Sequence, residues 1–479
     1  TITVTENSDY ITFQDAEVER ICLANWDTNS DGKLSIVEAA AVTDLGAIFT
    51  SNRRIATFVE LQYFTGLTVI ASNTFSNCTN LESVRFPNTI KTMQFGVFSG
   101  CSNLKSLVIP ASVTSFVCGN GYKSCRKLAK IVVEEGNPVY DSRGNCNAVI
   151  QKSNNALVLG CMNTIIPETV EEIGSCAFDN CYGLSAIEIP ESVTKIANNA
   201  FSACIGLTEV NLPISLECIG SSAFEGCRNL SSIYIPSNVK DVGVLCFTRC
   251  DNLQKIEVDP NNVTYDSRDN CNAIIKTETN ELIAGCSNTT IPNTISIIGE
   301  QAFGTCVNLL SINIPMSTTK IRNNAFRRCS GLTSVKLASS VKSIEHHAFA
   351  DCVGLTEFIV CWDTPVTING DVFSSVDIGS VVLYVPVGTK ALYEAAEVWK
   401  DFGTIAEMPS IIANEIVVEY GSEIPTLTYS SNVEVEGTPL MSCEATSKSP
   451  VGTYPITISK GSVENYNVEY VGGTLTIVK

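Results

Sequence analysis

"FEGCRNLSSIYIP", Phe224 to Pro236, is one copy of a phrase that returns along the middle of the chain. Phe-x-x-Cys-x-x-Leu begins at Phe75, Phe98, Phe178, Phe201, Phe224, Phe247, Phe303, Phe326 and Phe349, and within each run neighbouring copies lie 23 residues apart. A degenerate copy sits at Tyr122, Cys125 and Leu128, and a faded one at Phe373 ends the series. A fixed period of this size marks a solenoid. One unit shows the physics. Ile187 and Ile189 alternate with polar neighbours, which reads as a short strand with one buried face. Pro190 cannot donate a ladder hydrogen bond and stops that strand. Val193 and Ile196 belong to a second extended piece, and Ala200, Phe201 and Cys204 to a tight helical or 3₁₀ turn into the next coil. A single coil cannot bury its own apolar side, so coils must stack into one continuous core.

The chain has 21 Cys, and nine of them belong to this phrase. Stacking puts those nine in a ladder with rungs about 4.8 Å apart. Cys behaves there as a small buried apolar residue, and parallel side chains seldom meet disulfide geometry. Free thiols are expected at these positions. No Cys-x-x-Cys occurs, so a zinc site is not expected.

The full pattern, L-x-x-I-x-I-P…V-x-x-I…A-F-x-x-C, resembles the BspA-like leucine-rich repeats over roughly Phe58 to Pro409. The resemblance implies a curved β-solenoid on a bacterial surface, linked to adhesion. Leu383 to Phe402 looks like that family's terminal unit, with Thr389 to Trp399 read as an amphipathic helix capping the array. The expected fold class is a mainly β repeat protein. It is a leucine-rich-repeat right-handed β-solenoid with a helical N-terminal cap (1–57), the array itself (58–409) and a small all-β C-terminal domain (410–479). About fifteen coils would span on the order of 70 Å.

A larger repeat lies over the small one. "NPVYDSRGNCNAVIQKSNNALVLGCMNTIIP" and "NNVTYDSRDNCNAIIKTETNELIAGCSNTTIP" fill two gaps in the 23-residue series, near 134–163 and 259–288. Tyr140, Asp141, Ser142, Arg143 and Cys146 recur 125 residues later as Tyr265, Asp266, Ser267, Arg268 and Cys271. Apolar runs on either side of a polar Lys152–Asn155 segment read as a hairpin that leaves the regular coil. Cys146 with Cys161, and Cys271 with Cys286, could face each other across it. Tyr140, Asp141, Arg143 and their partners Tyr265, Asp266, Arg268 have two readings. They are a repeated contact patch giving bivalent binding, or an Asp–Arg paired turn under a Tyr that covers the hairpin root. The structural use is the stronger expectation, because the segment recurs with the architecture.

The two ends differ in character. "DTNSDGKLSIVE", Asp27 to Glu38, fits the D-x-[DN]-x-[DN]-G-x₅-E calcium loop. Asp27, Asn29 and Asp31 would offer side-chain oxygens, Lys33 its carbonyl, Ser35 a direct or water-bridged contact, and Glu38 two oxygens. Flanking segments Phe13–Trp26 and Ile36–Leu45 read as helical. The loop resembles an EF-hand or dockerin loop, yet occurs once where EF-hands come in pairs. A structural calcium ion is expected, or else an acidic helix–turn–helix that merely caps the first coil. After Pro409 the alternation of apolar and polar residues argues for a small β domain. Tyr420-Gly421, "SPVGTYPITI" and "YVGGTLTI" make it resemble the YGX-type MBG domain, which implies a stalk or spacer.

Composition narrows the function. The net charge of −19 and the absence of clustered Lys/Arg exclude nucleic acid and anionic lipid as partners. No apolar run approaches the roughly 18 residues of a membrane span, so no membrane insertion is expected. "TITVTENSDY" has neither the basic start nor the apolar core of a signal peptide, and is read as the start of a mature or trimmed chain. His346 and His347 are the two histidines, side by side on an outward position, with no partners in sequence for a triad or a metal. The three Trp read as core. No enzyme is expected. The outward side of the first strand of each coil is the expected binding surface, with pairs such as Ala186/Glu188, Glu209/Asn211 and Lys255/Glu257, and Tyr234 as its one aromatic. The expectation is a secreted or cell-surface monomer that adheres by binding a protein ligand. A glycan-binding accessory and a structural spacer are the alternatives.

Overall fold

The computed structural model describes residues 9–117, 124–464 and 468–479. Tyr122 of the degenerate copy therefore lies outside the described residues. The apolar positions of each coil point inward and are buried, and the phenyl rings of successive coils lie flat on one another. Phe178 stacks on Phe201 at 5.0 Å with 6° between ring planes, and Phe326 on Phe349 at 5.1 Å and 1°. Each ladder cysteine then does more than fill space. The Cys204 thiol donates to the Phe178 carbonyl at 3.1 Å, Cys227 to Phe201 at 3.2 Å and Cys329 to Phe303 at 3.0 Å. Every described cysteine is free, including Cys146, Cys161, Cys271 and Cys286. Burial pushes the Cys227 thiol up to about 12, which keeps it inert.

The Ala-Phe turn is neither α- nor 3₁₀-helical. It carries two left-handed residues, Asn199 (φ 57°) and Ala203 (φ 54°) in one coil, Asn324 (φ 56°) and Arg328 (φ 61°) in another. The reason lies in the hydrogen bonds. Asn199, Phe201 and Ala203 donate their amides to Ser221, Ala223 and Glu225 of the next coil at 3.0, 2.8 and 2.6 Å. A helix would turn those N–H groups upon itself, whereas this turn spends them between coils.

Two strand stacks complete each coil. The front stack pairs in parallel, for example Ser311–Ile314 with Ser334–Leu337 and then Glu357–Val360. The second stack pairs Glu172–Ile173, Lys195–Ile196, Cys218–Ile219 and Asp241–Val242, also in parallel. The inserted hairpin does not leave the coil as its sequence suggests. Val149–Gln151 and Ala156–Leu159 pair antiparallel, and the latter then pairs in parallel with Glu172–Ile173. The hairpin thus occupies a coil's place in the second stack, and Ala273–Lys276 with Glu281–Gly285 does the same. The front stack ends at each insert too, and the hairpin adds no strand to it. Ser106–Ile109 with Lys130–Val133, and Ser232–Ile235 with Lys255–Val258, remain two-stranded.

The ends are capped. Ala16–Trp26 is a helix whose first amides are held by the Asp15 carboxylate, and Ile36–Ala41 is a shorter one. Both are shorter than the sequence suggests, because Asp15 starts the first and the chain turns extended at Val42. The C-terminal capping helix is also short, Lys390–Ala395, and breaks where Val398 turns left-handed at φ 70°. Trp362 and Trp399 lie buried beneath it, their indole N–H groups donating to Val341 and Val366 carbonyls at 2.9 and 2.7 Å. Beyond it, Ile416–Glu419, Gly473–Val478, Gly452–Ser459 and Leu440–Cys443 form a sheet over a small core of Ala413, Ile456, Leu475 and Ile477. No helix of the described residues is long and apolar enough to cross a membrane.

Each hairpin enters the core through one glycine. A Cβ on Gly160 would strike the Phe178 ring, and one on Gly285 the Phe303 ring. Gly285→Ala is expected to lower stability by about 1–3 kcal/mol through overpacking, read as a lower denaturant midpoint. Gly452→Ala, where a Cβ meets open space, should not.

Candidate functional site

The twin Tyr-Asp-Ser-Arg motif resolves into a strut. Tyr140 and Tyr265 are buried, so they are not presented to a partner, and the contact-patch reading gives way to the structural one. Arg143 grips Asp141 with two nitrogens at 2.8 and 2.9 Å, and reaches Asn155 and Thr169 at 3.0 and 3.2 Å. Arg268 repeats this on Asp266 at 2.8 and 2.6 Å, and on Asn280 and Thr294. Burial pushes the Asp266 carboxyl up, but the Arg268 guanidinium outweighs it and the net shift is downward. Each Arg therefore ties the hairpin root to the hairpin tip and to the next coil. Sequence reading passed over the asparagine three residues before the motif. Asn262 is buried and donates to the Pro236 and Val239 carbonyls at 2.8 and 3.0 Å while accepting from Thr264 and Tyr265 amides. Asn137 holds the first hairpin in the same way. An Asn at the same offset in both inserts was the available signal.

The acidic loop has hard-oxygen chemistry, and its hydrogen bonds turn inward. Asp27 accepts from Gly32 N–H at 2.9 Å, and Gly32 holds φ 79°. The other Asp27 oxygen is buried without a partner. Asn29 and Asp31 bond each other and the following amides, and Tyr10 donates to Asp31 at 3.0 Å. Lys33 lies over the Tyr10 ring at 5.2 Å. Glu38 accepts from Thr28 on one oxygen and from Ser35 on the other. Among the described residues no three His, Cys, Asp or Glu converge as a metal cluster. A hard cation would fit the donor types at Asp27, Asn29, Asp31, Lys33, Ser35 and Glu38 and would replace the Glu38 bonds. The loop also lacks no strand partner. Ile11 N–H donates to the Leu34 carbonyl and Ile36 N–H to the Asp9 carbonyl, so the segment before the first helix pairs antiparallel with the end of the loop.

His346 and His347 do find a partner that the sequence hides. Asp371, from the faded last coil, receives His346 Nδ1 at 2.7 Å and lies 3.8 Å from His347 Nε2. The hydrogen bond from His346 lowers the Asp371 pKa. The group ties the last coils together.

What remains outward is the front stack. Tyr234 is 46% exposed and sits in a groove of ≈ 590 Å³ with Lys255, Glu257, Asp259 and Arg268. Burial and the Asp259 carboxylate raise the Tyr234 hydroxyl. A second groove of ≈ 680 Å³ follows the first hairpin, between Ile165, Glu168, Glu188 and Asn211.

The Ser35 amide, then the Thr28 and Ser35 hydroxyls, pull Glu38 from an ordinary 4.5 down to about 2. A depressed carboxyl contributes stability that is present above its unfolded pKa and lost as pH falls through its folded one. The cap should therefore weaken between 4.5 and about 2. Glu38→Gln should flatten that slope in Trp26 fluorescence melts.

Comparison with known proteins agrees with the architecture. The family model for the BspA type leucine rich repeat region matches residues 52–143, 160–275 and 274–392, and that for the MBG domain (YGX type) matches 410–476. The curated proteins give no match to this chain. Among solved structures, a leucine rich cell surface protein from Faecalibacterium prausnitzii is 20% identical, with 74% of this chain and 83% of that one covered and a TM-score of 0.39. A leucine-rich repeat protein from Eubacterium ventriosum is 22% identical, covering 61% and 82%, with a TM-score of 0.40. The pneumococcal vaccine antigen PcpA is 19% identical, covering 71% of this chain and 66% of its own, with a TM-score of 0.39.

Proposed function

This chain belongs to the BspA-type leucine-rich repeat family, and we propose that it is a non-enzymatic interaction protein, secreted or held at the cell surface, that adheres by binding a protein partner along its front stack. The carrying observation is what the residues are used for. The phenyl rings, ladder thiols, twin Tyr-Asp-Ser-Arg motifs and paired histidines are all committed to holding coils together. The outward side chains of the front strands make few such bonds between coils, Thr57 with Ser83 being one, and they stand exposed or half-exposed. A β-solenoid of this kind presents such a row rigidly, so binding costs little ordering entropy. The MBG module would then hold the array away from its anchorage.

The test is a binding screen of the whole chain against immobilised matrix proteins, mucins and glycans. Saturable binding to a protein that survives deglycosylation is the expected result. Binding to glycan alone would replace this reading with an accessory role in polysaccharide handling, and silence across the screen would leave a spacer.

We further propose that the Asp27–Glu38 loop takes a structural calcium ion, supported by its donor set and the unpartnered buried Asp27 oxygen. Extracellular calcium is abundant enough to fill even a weak site. Added calcium should raise the melting temperature of the Trp26 signal, chelator should reverse the rise, and Glu38→Gln should remove it. A melt indifferent to calcium would leave the loop as a plain helical cap.

A further inference from the structure

The front stack is not uniform between the two inserts. Ile165, Glu188, Asn211, Tyr234 and Glu257 occupy the same outward position of successive coils, 23 residues apart. Pairing fixes this row directly where Glu188 bridges Asn211 and where Tyr234 pairs with Glu257. The first groove joins Ile165 to Glu188 and Asn211, and the second joins Tyr234 to Glu257. The two grooves lie along this one outward row, one towards each end, and row and grooves together make the trough. The hairpin roots close it at both ends, because the Asn147 side-chain amide donates to the Asn163 carbonyl and the Ile165 amide to the Cys146 carbonyl, and residues 266–272 lie beside Lys255 and Val258.

Its charge is one-sided. Glu168, Glu188 and Glu191 line it with no Lys or Arg partner among the described residues, and Asp259 has none either. Lys255 is spent on Glu257 at 2.9 Å, and Arg268 on Asp266 at 2.6 Å. Two side chains break the acidity. Ile165 is 73% exposed at one end, and the Tyr234 ring lies towards the other. Four rung steps give a length of about 19 Å, which is about six residues of extended chain.

We propose that this trough docks a Lys/Arg-rich segment of a protein partner. The inference rests on the protein-binding reading above and names its site. Cations on the segment meet the unpaired carboxylates, a Lys or Arg lies over the Tyr234 face, and an apolar side chain covers Ile165. A neutral sugar could stack on Tyr234 but would leave the carboxylates uncompensated, and an anionic glycan would be repelled. The acidic surface also steers a basic segment toward the trough, which raises its association rate and makes it salt-dependent.

The test uses the full chain and a short fluorescein-labelled peptide of Arg, Lys and Leu, read by anisotropy at physiological salt. Saturable binding is expected, and the triple variant Glu168→Gln, Glu188→Gln, Tyr234→Ala should weaken it by about tenfold or more. The matched variant Glu415→Gln, Tyr420→Ala, Glu423→Gln, on exposed positions of the C-terminal module, should leave it unchanged. All six positions are exposed or half-exposed, so both variants should fold, which a melt would check. Equal losses in the two variants would mean attraction to net charge alone and would overturn the proposal. Displacement of the peptide by a neutral oligosaccharide would overturn it in favour of a sugar. If the trough variant keeps its affinity while the chain still binds a protein found in the screen, the trough falls and the wider reading stands.

Discussion

Everything in this chain depends on one contact repeated between neighbours, the rung formed by a phenylalanine and the cysteine of the next coil. The ring lies flat on the ring before it, and the thiol reaches back to the carbonyl of the earlier phenylalanine. The two together set both the spacing and the register of a coil on its predecessor. The left-handed residues around the ring follow from the same demand, because they point the turn amides along the axis of the array. Strand pairing on the other two sides can then be short. Second-stack strands such as Glu172–Ile173, Lys195–Ile196 and Cys218–Ile219 are only two residues long, and the rung beside them fixes their register.

Much of this was legible in the sequence for a physical reason. A period of 23 residues with Phe, Cys and Pro at fixed offsets has few solutions, and the repeat announces the core. What was not legible depends on hydrogen bonds rather than on hydrophobic period. The turn reads as helical because Ala, Phe and Cys are spaced as on a helix face, and nothing apolar reveals that its amides leave the turn. Cys reads as a packing residue because a weak donor looks like an apolar one. The hairpin seems an excursion because its run breaks the count, although its second strand fills a coil's seat once Gly285 lets the Phe303 ring close over it.

For the candidate sites the sequence placed residues on the right elements and misjudged some of their partners. Tyr140 and Tyr265 stand in polar surroundings along the chain, yet both fold under their hairpin. Asp371 lies far from the paired histidines in sequence and meets them only through stacking. The outward row from Ile165 to Glu257 was visible as a set of alternating positions. Its enclosure between two hairpin roots was not, since that requires knowing that each insert ends the front stack and opens a new second stack that runs on into the coils after it.

That asymmetry has a mechanical consequence. Tension drawn along the axis of a solenoid loads the bonds between coils one rung at a time, as in opening a zip, because those bonds lie parallel to the pull. Each coil that opens pays out 23 residues, or roughly 75 Å of chain, in exchange for one rung. The inserts interrupt this. At each of them strand pairing with the coil before is parted, while an arginine clasps hairpin tip, root and following coil. An array tethered at one end and gripped at the other would lengthen in stages, with the two stitched coils as the stops between them.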